Sequence, residues 1–160
     1  MFNFTATPPL SLYVHIPWCV RKCPYCDFNS HAVKDAIPEQ AYVDALLADL
    51  EHDLPAVWGR VVDTVFIGGG TPSLFSPEAI DQVLCGIRAR ITLDPGAEIT
   101  LEANPGTVDR EHFHGFREAG VNRLSIGVQS FQSDLLEKIG RIHDGRAAIR
   151  AAEAAHDAGF

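Results

Sequence analysis

The chain has 160 residues, of which 46% are hydrophobic and 21% charged, so it fits one globular domain or one piece of a larger domain. Its 13 basic and 21 acidic side chains give a net charge of −8, which argues against nucleic acid or an anionic membrane as the main partner. No apolar run approaches the roughly 18 residues that span a bilayer, and the first residues do not form a signal peptide, so we expect a cytoplasmic protein.

Strands and helices are predicted to alternate along the chain, after an N-terminal extension at residues 1–9. Apolar runs predict strands at residues 10–16, 61–67, 98–102 and 122–128. Helical spacing predicts helices at residues 38–54, 77–91, 108–119, 133–139 and 146–157. The apolar stripe of the first helix is predicted to be Ala41, Ala45, Leu46 and Leu50. Ser76 and Thr107 are predicted N-caps, and Gly120 is a predicted helix stop.

Four strand–helix repeats predict an α/β fold with a parallel sheet and helices outside it. The similar segments 118–121 and 157–160 each end a helix, so Phe160 would open a fifth strand. A parallel sheet that stopped after four strands would leave unpaired backbone at its edge. We therefore expect a partial, TIM-like (βα) barrel of about four parallel units, truncated before strand five.

Three cysteines follow the first predicted strand at CxxxCxxC spacing. Cys19, Cys23 and Cys26 stand on one short loop, so their thiolates could hold three irons of a 4Fe–4S cube. Such clusters normally have four protein thiolates, so the fourth iron here would be free to bind something reactive. The loop therefore predicts a metal centre with one open coordination position.

Other interpretations of these cysteines are weaker. Zinc would need a fourth ligand, which His15 or His31 could supply, but zinc sites usually pair two knuckles and no second CxxC exists. Disulfide frameworks belong to secreted proteins, and thioredoxin-like chemistry would explain only Cys23 and Cys26. We favour the cluster over zinc, and zinc over disulfides. The fourth cysteine, Cys85, is predicted to be a buried, unreactive thiol on an apolar helix face.

Each predicted strand ends in a candidate motif, and ligands bind at this edge of α/β sheets and barrels. The cysteine loop follows the first strand, and Gly68-Gly-Gly-Thr-Pro-Ser73, Glu102-Ala-Asn-Pro105 and Gly127-Val-Gln-Ser-Phe131 follow the other three. Any one motif could be a turn or a solvated strand end. Four motifs that each follow the carboxyl end of a parallel strand predict a single binding site.

The chain resembles the oxygen-independent coproporphyrinogen III oxidase-like group of radical S-adenosylmethionine (SAM) proteins over essentially its whole length. The segments that carry the resemblance are YVHIPWC (13–19), CPYCDFNS (23–30), IGGGTPS (67–73), EANP (102–105) and SIGVQSF (125–131). The resemblance implies that residues 10–160 are the N-terminal part of a radical SAM core domain with cluster ligands Cys19, Cys23 and Cys26. The implied SAM-contacting positions are Tyr13, Tyr25, Gly69, Gly70, Thr71, Glu102, Gln129 and Arg141.

The chemistry of these positions suits SAM. Consecutive glycines let backbone approach a ligand closely, and their carbonyls could accept its amino group. Glu102 can accept two bonds from a ribose diol, Gln129 can bond ribose or carboxylate oxygens, and Arg141 can pair with a carboxylate. Tyr25 could lie against adenine and Tyr13 beside the cluster, although both could be core aromatics. The competing interpretations are a tight turn for the glycines, a solvated strand end for Glu102 and an exposed helix-end position for Arg141.

Two branches of this group differ near the third cysteine. The coproporphyrinogen dehydrogenase branch has a further cysteine where this chain has Phe28, and a longer arm than the 18 residues before Cys19. Both departures favour the heme chaperone branch, with a 4Fe–4S cluster and SAM as cofactors and heme as cargo for acceptor proteins. The alternative is an oxygen-independent coproporphyrinogen III oxidase. We assign no catalytic residue, leave open whether the core is an enzyme, and predict no oligomeric state.

Overall fold

The computed structural model describes residues 5–160. Its strands are β1 (Leu10–Ile16), β2 (Trp18–Cys19), β3 (His31–Ala32), β4 (Val62–Gly69), β5 (Leu93–Ala103) and β6 (Arg123–Ile126). Its helices are α1 (Glu39–Asp53), α2 (Pro77–Arg88), α3 (Arg110–Ala119), α4 (Ser133–Lys138) and α5 (Gly145–Asp157). The predicted alternation is confirmed. Of the predicted extension, residues 1–4 lie outside the described residues.

Four strands form one parallel sheet in the order β1-β4-β5-β6. Sequential neighbours joined through helices give the partial, TIM-like (βα) barrel that the strand–helix repeats predict. The pairing β2–β3 is a separate two-stranded parallel sheet that the sequence did not predict. In the described part of the chain, no helix is long and apolar enough to cross a membrane.

The two faces of the four-stranded sheet differ in chemistry. One face packs on the helices and contributes Val14, Ile16, Val65, Ile67, Ile99 and Leu101 to the core. Because side chains alternate along a strand, the residues between them lie on the other face. Apart from the stacked rings of Tyr13 and Phe66, that face is polar: the Thr64 hydroxyl donates to Ser11 Oγ over 2.8 Å, and Arg123 donates to Thr100 Oγ1 over 3.1 Å.

The helix boundaries follow from their caps, with one correction. Ser76 caps α2 as predicted, since its Oγ accepts from the Ala79 N–H over 3.2 Å. The prediction for Thr107 was wrong: Asp109 caps α3 and accepts from the His112 N–H over 3.0 Å. The Thr107 hydroxyl is used elsewhere, 3.0 Å from the Asn104 carbonyl oxygen. The helix stop at Gly120 is confirmed by its φ of 106°.

The predicted stripe of α1 is confirmed for Leu46 and Leu50, which pack against the core, and was wrong for Ala41 and Ala45. Ala41 and Ala45 are exposed, and the buried residue of α1 is Val43. The face of α1 is set by its contact with α2, where a Cβ on Gly86 would lie 2.5 Å from the Leu47 side chain.

Cys85 is exposed rather than buried. It lies on the flank of α2, one turn after Asp81, and its Sγ donates to Asp81 Oδ1 over 3.5 Å. The buried face of α2 is formed by Ala79, Ile80, Val83, Leu84 and Ile87. Helical spacing therefore places Cys85 just outside the buried face of α2.

Candidate functional site

A cavity of about 470 Å³ opens at the carboxyl ends of β4, β5 and β6, beside the cysteine loop. All the predicted site residues except Tyr13 line it: Cys19, Cys23, Cys26, Tyr25, Gly69, Gly70, Thr71, Glu102, Gln129 and Arg141. The cavity thus has two walls. We call residues 19–30 the cysteine-loop wall and the segments 69–71, 102–104 and 125–129 the strand-end wall.

The cysteine loop is closed at its base by backbone pairing. The His31 N–H donates to the Pro17 carbonyl over 2.7 Å, and the Val33 N–H donates to the Cys19 carbonyl over 2.8 Å. Within the loop, the Cys26 N–H donates to the Cys23 carbonyl over 3.1 Å. Cys23 and Cys26 at the two ends of this turn line the cavity together with Cys19, which is buried at the base of the loop.

The three loop cysteines are free thiols. In residues 5–160, no group of three or more His, Cys, Asp or Glu side chains converges on one point as a single metal ion requires. A cube whose irons each take one thiolate needs no such convergence. Soft thiolate donors on a cavity wall fit iron–sulfur chemistry.

Tyr13 reaches the loop through His15 instead of lining the cavity. His15 Nε2 lies 2.8 Å from the Asn29 carbonyl oxygen, which can only accept, so Nε2 carries the proton. His15 Nδ1 then accepts from the Tyr13 hydroxyl over 3.0 Å. Partial burial raises the pKa of Tyr13, and the Glu102 carboxylate adds to this. This relay fixes the end of the cysteine loop on β1.

The glycines after β4 join the two walls. Gly69 has a φ of 116°, which side chains rarely adopt, and its neighbour Gly70 lies against the chain leading into the loop. A Cβ on Gly70 would lie 2.5 Å from the Trp18 carbonyl oxygen. The Thr71 N–H donates to that same oxygen over 2.7 Å. Only glycine permits this close approach.

Glu102 projects from the end of β5 on the polar side of the sheet. Its Oε2 accepts from the Gly69 N–H over 3.2 Å. Burial raises the pKa of its carboxyl group, and the bond from Gly69 partly opposes this. A half-buried carboxylate with spare acceptor positions can bind hydroxyl groups of a ligand.

Arg141 crosses the cavity between the two walls. Its Nη2 donates to the Gly127 carbonyl over 2.6 Å, and its Nη1 lies 3.7 Å from Cys23 Sγ. Its Nε is buried and has no partner among the described residues. Tyr25 lies beside it, and the pKa of Tyr25 is raised by partial burial and by the Cys23 thiol. An unpartnered buried donor beside the cavity suits an anionic ligand.

Two positions after β6 depart from ordinary behaviour. Gln129 lines the cavity with a φ of 63°, in the left-handed region that glycine favours. His143, which sequence reasoning missed, is buried and lies with Nε2 3.1 Å from the Val128 carbonyl oxygen. Burial lowers the pKa of His143 below its ordinary 6.5. Its position in the sequence, two residues after the predicted site residue Arg141, could have drawn attention to it.

Unlike His143, four residues that line the cavity were missed as individual site residues, namely Arg21, Phe28, Asn104 and Ser125. Asn104 and Ser125 stand inside the motifs at the ends of β5 and β6, where position alone could have found them. Arg21 donates to the Gly140 carbonyl, a contact between segments far apart in sequence.

The sequence profile of the Radical SAM superfamily matches residues 13–160. The chain belongs to the radical SAM superfamily. This family implies a 4Fe–4S cluster and SAM, and the thiols, the half-buried Glu102 carboxylate and the Arg141 guanidinium that line the cavity fit these groups.

Within this superfamily, the chain is similar to proteins named heme chaperone HemW. It is 58% identical over 153 residues to HemW of Escherichia coli, covering 96% of this chain and 40% of that protein. It is 54% identical over 157 residues to HemW of Haemophilus influenzae, covering 96% of this chain and 41% of that protein. The chain therefore spans about 40% of the length of these curated relatives.

Among solved structures, this radical SAM chain is similar to the coproporphyrinogen III oxidase HemN of Escherichia coli. The TM-score is 0.85 at 32% identity, covering 95% of this chain and 35% of that one.

Proposed function

We propose that this chain binds a 4Fe–4S cluster through Cys19, Cys23 and Cys26, and SAM in the adjoining cavity. The observation that carries the proposal is one cavity lined by both the cysteine-loop wall and the strand-end wall. Three thiolates would leave one iron without a protein ligand, facing a cavity large enough for a small molecule.

Five residues of the cavity would hold SAM. Arg141 would pair with its carboxylate, and the carbonyls of Gly69 and Gly70 would accept from its amino group. Glu102 would accept from the ribose hydroxyls, with Gln129 beside it. When bound, the cluster supplies the electron for SAM cleavage, while these residues orient the substrate and exclude water.

We further propose that the whole protein is a heme chaperone that binds heme and hands it to acceptor proteins. The 58% identity to HemW supports this, although it covers only 40% of that protein. Phe28, 64% exposed beside the cavity, stands where the oxidase branch is expected to have another cysteine. A cytoplasmic location remains a prediction from composition.

Oxidation of coproporphyrinogen III is the second candidate, favoured by the TM-score of 0.85 to HemN. The lower identity to that protein, 32%, makes this the weaker proposal.

Anaerobic reconstitution with iron and sulfide, followed by electron paramagnetic resonance (EPR) of the reduced protein, tests the core of the proposal. A 4Fe–4S signal that shifts on adding SAM is expected, and a signal indifferent to SAM would reject the SAM site. Heme titration and transfer to an apo-acceptor, run beside a coproporphyrinogen assay, then separate the two candidates. Decarboxylated product without heme transfer would reject the chaperone.

A further inference from the structure

The Arg141 guanidinium connects residues that are distant in the sequence. Its Nη1 lies 3.7 Å from the sulfur of Cys23, which is 118 positions away, and its Nη2 is fixed on the Gly127 carbonyl over 2.6 Å. A guanidinium is planar, so a bond at one nitrogen also orients the others. The Nη1 donor is therefore held toward Cys23 by the strand-end wall.

The three loop cysteines differ in their surroundings. Within the described part of the chain, the hydrogen-bond partner of Cys26 Sγ is the Ser30 hydroxyl, at 3.8 Å. Cys19 is buried at the base of the loop. Across residues 5–160, Cys23 is the one of the three whose sulfur has a cationic hydrogen-bond donor. The electrostatic environment of the predicted metal centre is thus asymmetric.

This asymmetry has a consequence for the cluster. Hydrogen bonds and positive charge at the sulfurs stabilise the more negative, reduced state of an iron–sulfur cluster and raise its reduction potential. We propose that Arg141 sets the reduction potential of the cluster by donating to Cys23, a role that rests on the cluster binding proposed above. It is a positioning residue toward the cluster because it acts through a ligand.

Binding of a SAM carboxylate is compatible with this role. The guanidinium has five N–H donors, and Nη1 and Nη2 carry two each, so each keeps a second N–H beside its bond to Cys23 or Gly127. A carboxylate could therefore pair with Arg141 while Nη1 stays on Cys23. The two roles are separable because the potential can be measured without SAM.

The test is an EPR-monitored redox titration of the anaerobically reconstituted full chain without SAM. Arg141→Gln removes the positive charge. Arg141→Lys keeps the charge but loses the planar guanidinium, whose nitrogens can bond to Gly127 and Cys23 at the same time. We expect Arg141→Gln to lower the ratio of reduced to oxidised cluster about tenfold at a given potential, which is about 59 mV for one electron. Arg141→Lys should shift the potential less, in the same direction.

Arg146→Gln is the matched control, because this exposed residue of α5 lies outside the cavity lining and gives the same change in net charge. Its potential should equal that of the wild type. Unchanged potentials in both Arg141 variants would overturn the proposal. So would loss of the cluster from both, since Arg141 would then only hold the loop. A wild-type chain that takes up no iron would instead reject the proposed function itself.

Discussion

The two walls of the cavity are built in different ways. The strand-end wall continues β4 and β5, whose residues Ile67 and Leu101 are fully buried in the core. The cysteine-loop wall extends away from the sheet and exposes about half or more of Val20, Tyr25 and Phe28. A wall on strands inherits the rigidity of the core, whereas a loop depends on a few contacts at its base.

This difference assigns a separate task to each wall. Contacts that recognise a ligand need fixed geometry, and the strand-end wall offers it. Metal ligands can be ordered by the metal itself, because binding energy and folding energy are then coupled. The cysteine-loop wall can therefore be less well packed and still hold its thiols near the cavity.

The largest effect is expected from removing a thiol of the cysteine-loop wall. Replacing Cys19, Cys23 or Cys26 by Ala should abolish the cluster, because each thiolate would hold a different iron. Iron and sulfide content and the EPR signal after reconstitution measure this. Cys85→Ala is the control, since its exposed thiol lies on α2, and equal iron loss there would contradict the ligand assignment.

A strong effect is also expected where the two walls meet. Gly70→Ala would place a Cβ 2.5 Å from the Trp18 carbonyl oxygen, so backbone must shift. We expect a loss of about 1–3 kcal/mol in the free energy of unfolding, measured by urea denaturation. Gly96→Ala, whose Cβ would meet only the Asp94 side chain at 3.2 Å, should cost less. Equal losses would show that the two walls are not joined tightly here.

A change on the strand-end wall should separate function from stability. Glu102→Gln is expected to weaken SAM binding roughly 10- to 100-fold by calorimetry, the scale of a hydrogen bond to a charged group. Because burial raises the carboxyl pKa, the charged form destabilises the fold at neutral pH. The variant should thus be more stable than wild type at pH 7, and this gain should vanish below the unfolded value of 4.5.

Glu98→Gln is the matched control for that variant. Glu98 lies on the same strand and the same face but outside the cavity lining. It should leave SAM affinity unchanged. A similar loss of affinity in both variants would indicate a general charge effect in place of a contact.

The smallest effect is expected from His143, behind the strand-end wall. Its pKa is lowered by burial, so the unfolded chain takes up this proton first as the pH falls through 6.5. Stability should therefore fall on acidification in that window and level off below the folded-state pKa. His143→Gln should flatten the dependence measured by urea denaturation, whereas the exposed His156→Gln should not. Identical slopes in wild type and His143→Gln would contradict this origin.

The sequence was most informative where local spacing decides structure. Strand positions, the cap at Ser76 and the stop at Gly120 depend on neighbours within a few residues, and they were predicted. The grouping of the four motifs was predicted because parallel strands run in the same direction, so their carboxyl ends meet at one edge of the sheet. The candidate site could be predicted from these rules because they need no knowledge of tertiary contacts.

The remaining features depend on contacts between distant segments. The pairing β2–β3 has two residues in each strand, too few for a pattern. The approach of Arg141 to Cys23 and the bond from His15 to Asn29 exist only in the folded chain. The exposure of Ala41 and Ala45 in α1 was missed because the contact of Leu47 with Gly86 of α2 helps to set the buried face, and no pattern within α1 reveals that contact.

The backbone at Gln129 has a further implication for how this segment can change in evolution. At a φ of 63°, glycine, asparagine or aspartate would fit more easily than glutamine, which carries a penalty of about 1–2 kcal/mol there. Selection for stability alone would therefore tend to replace it. Retention of glutamine at this position in related proteins would indicate selection acting on the side chain, and sequence drift at residue 129 would be an early sign that a descendant no longer needs the ligand.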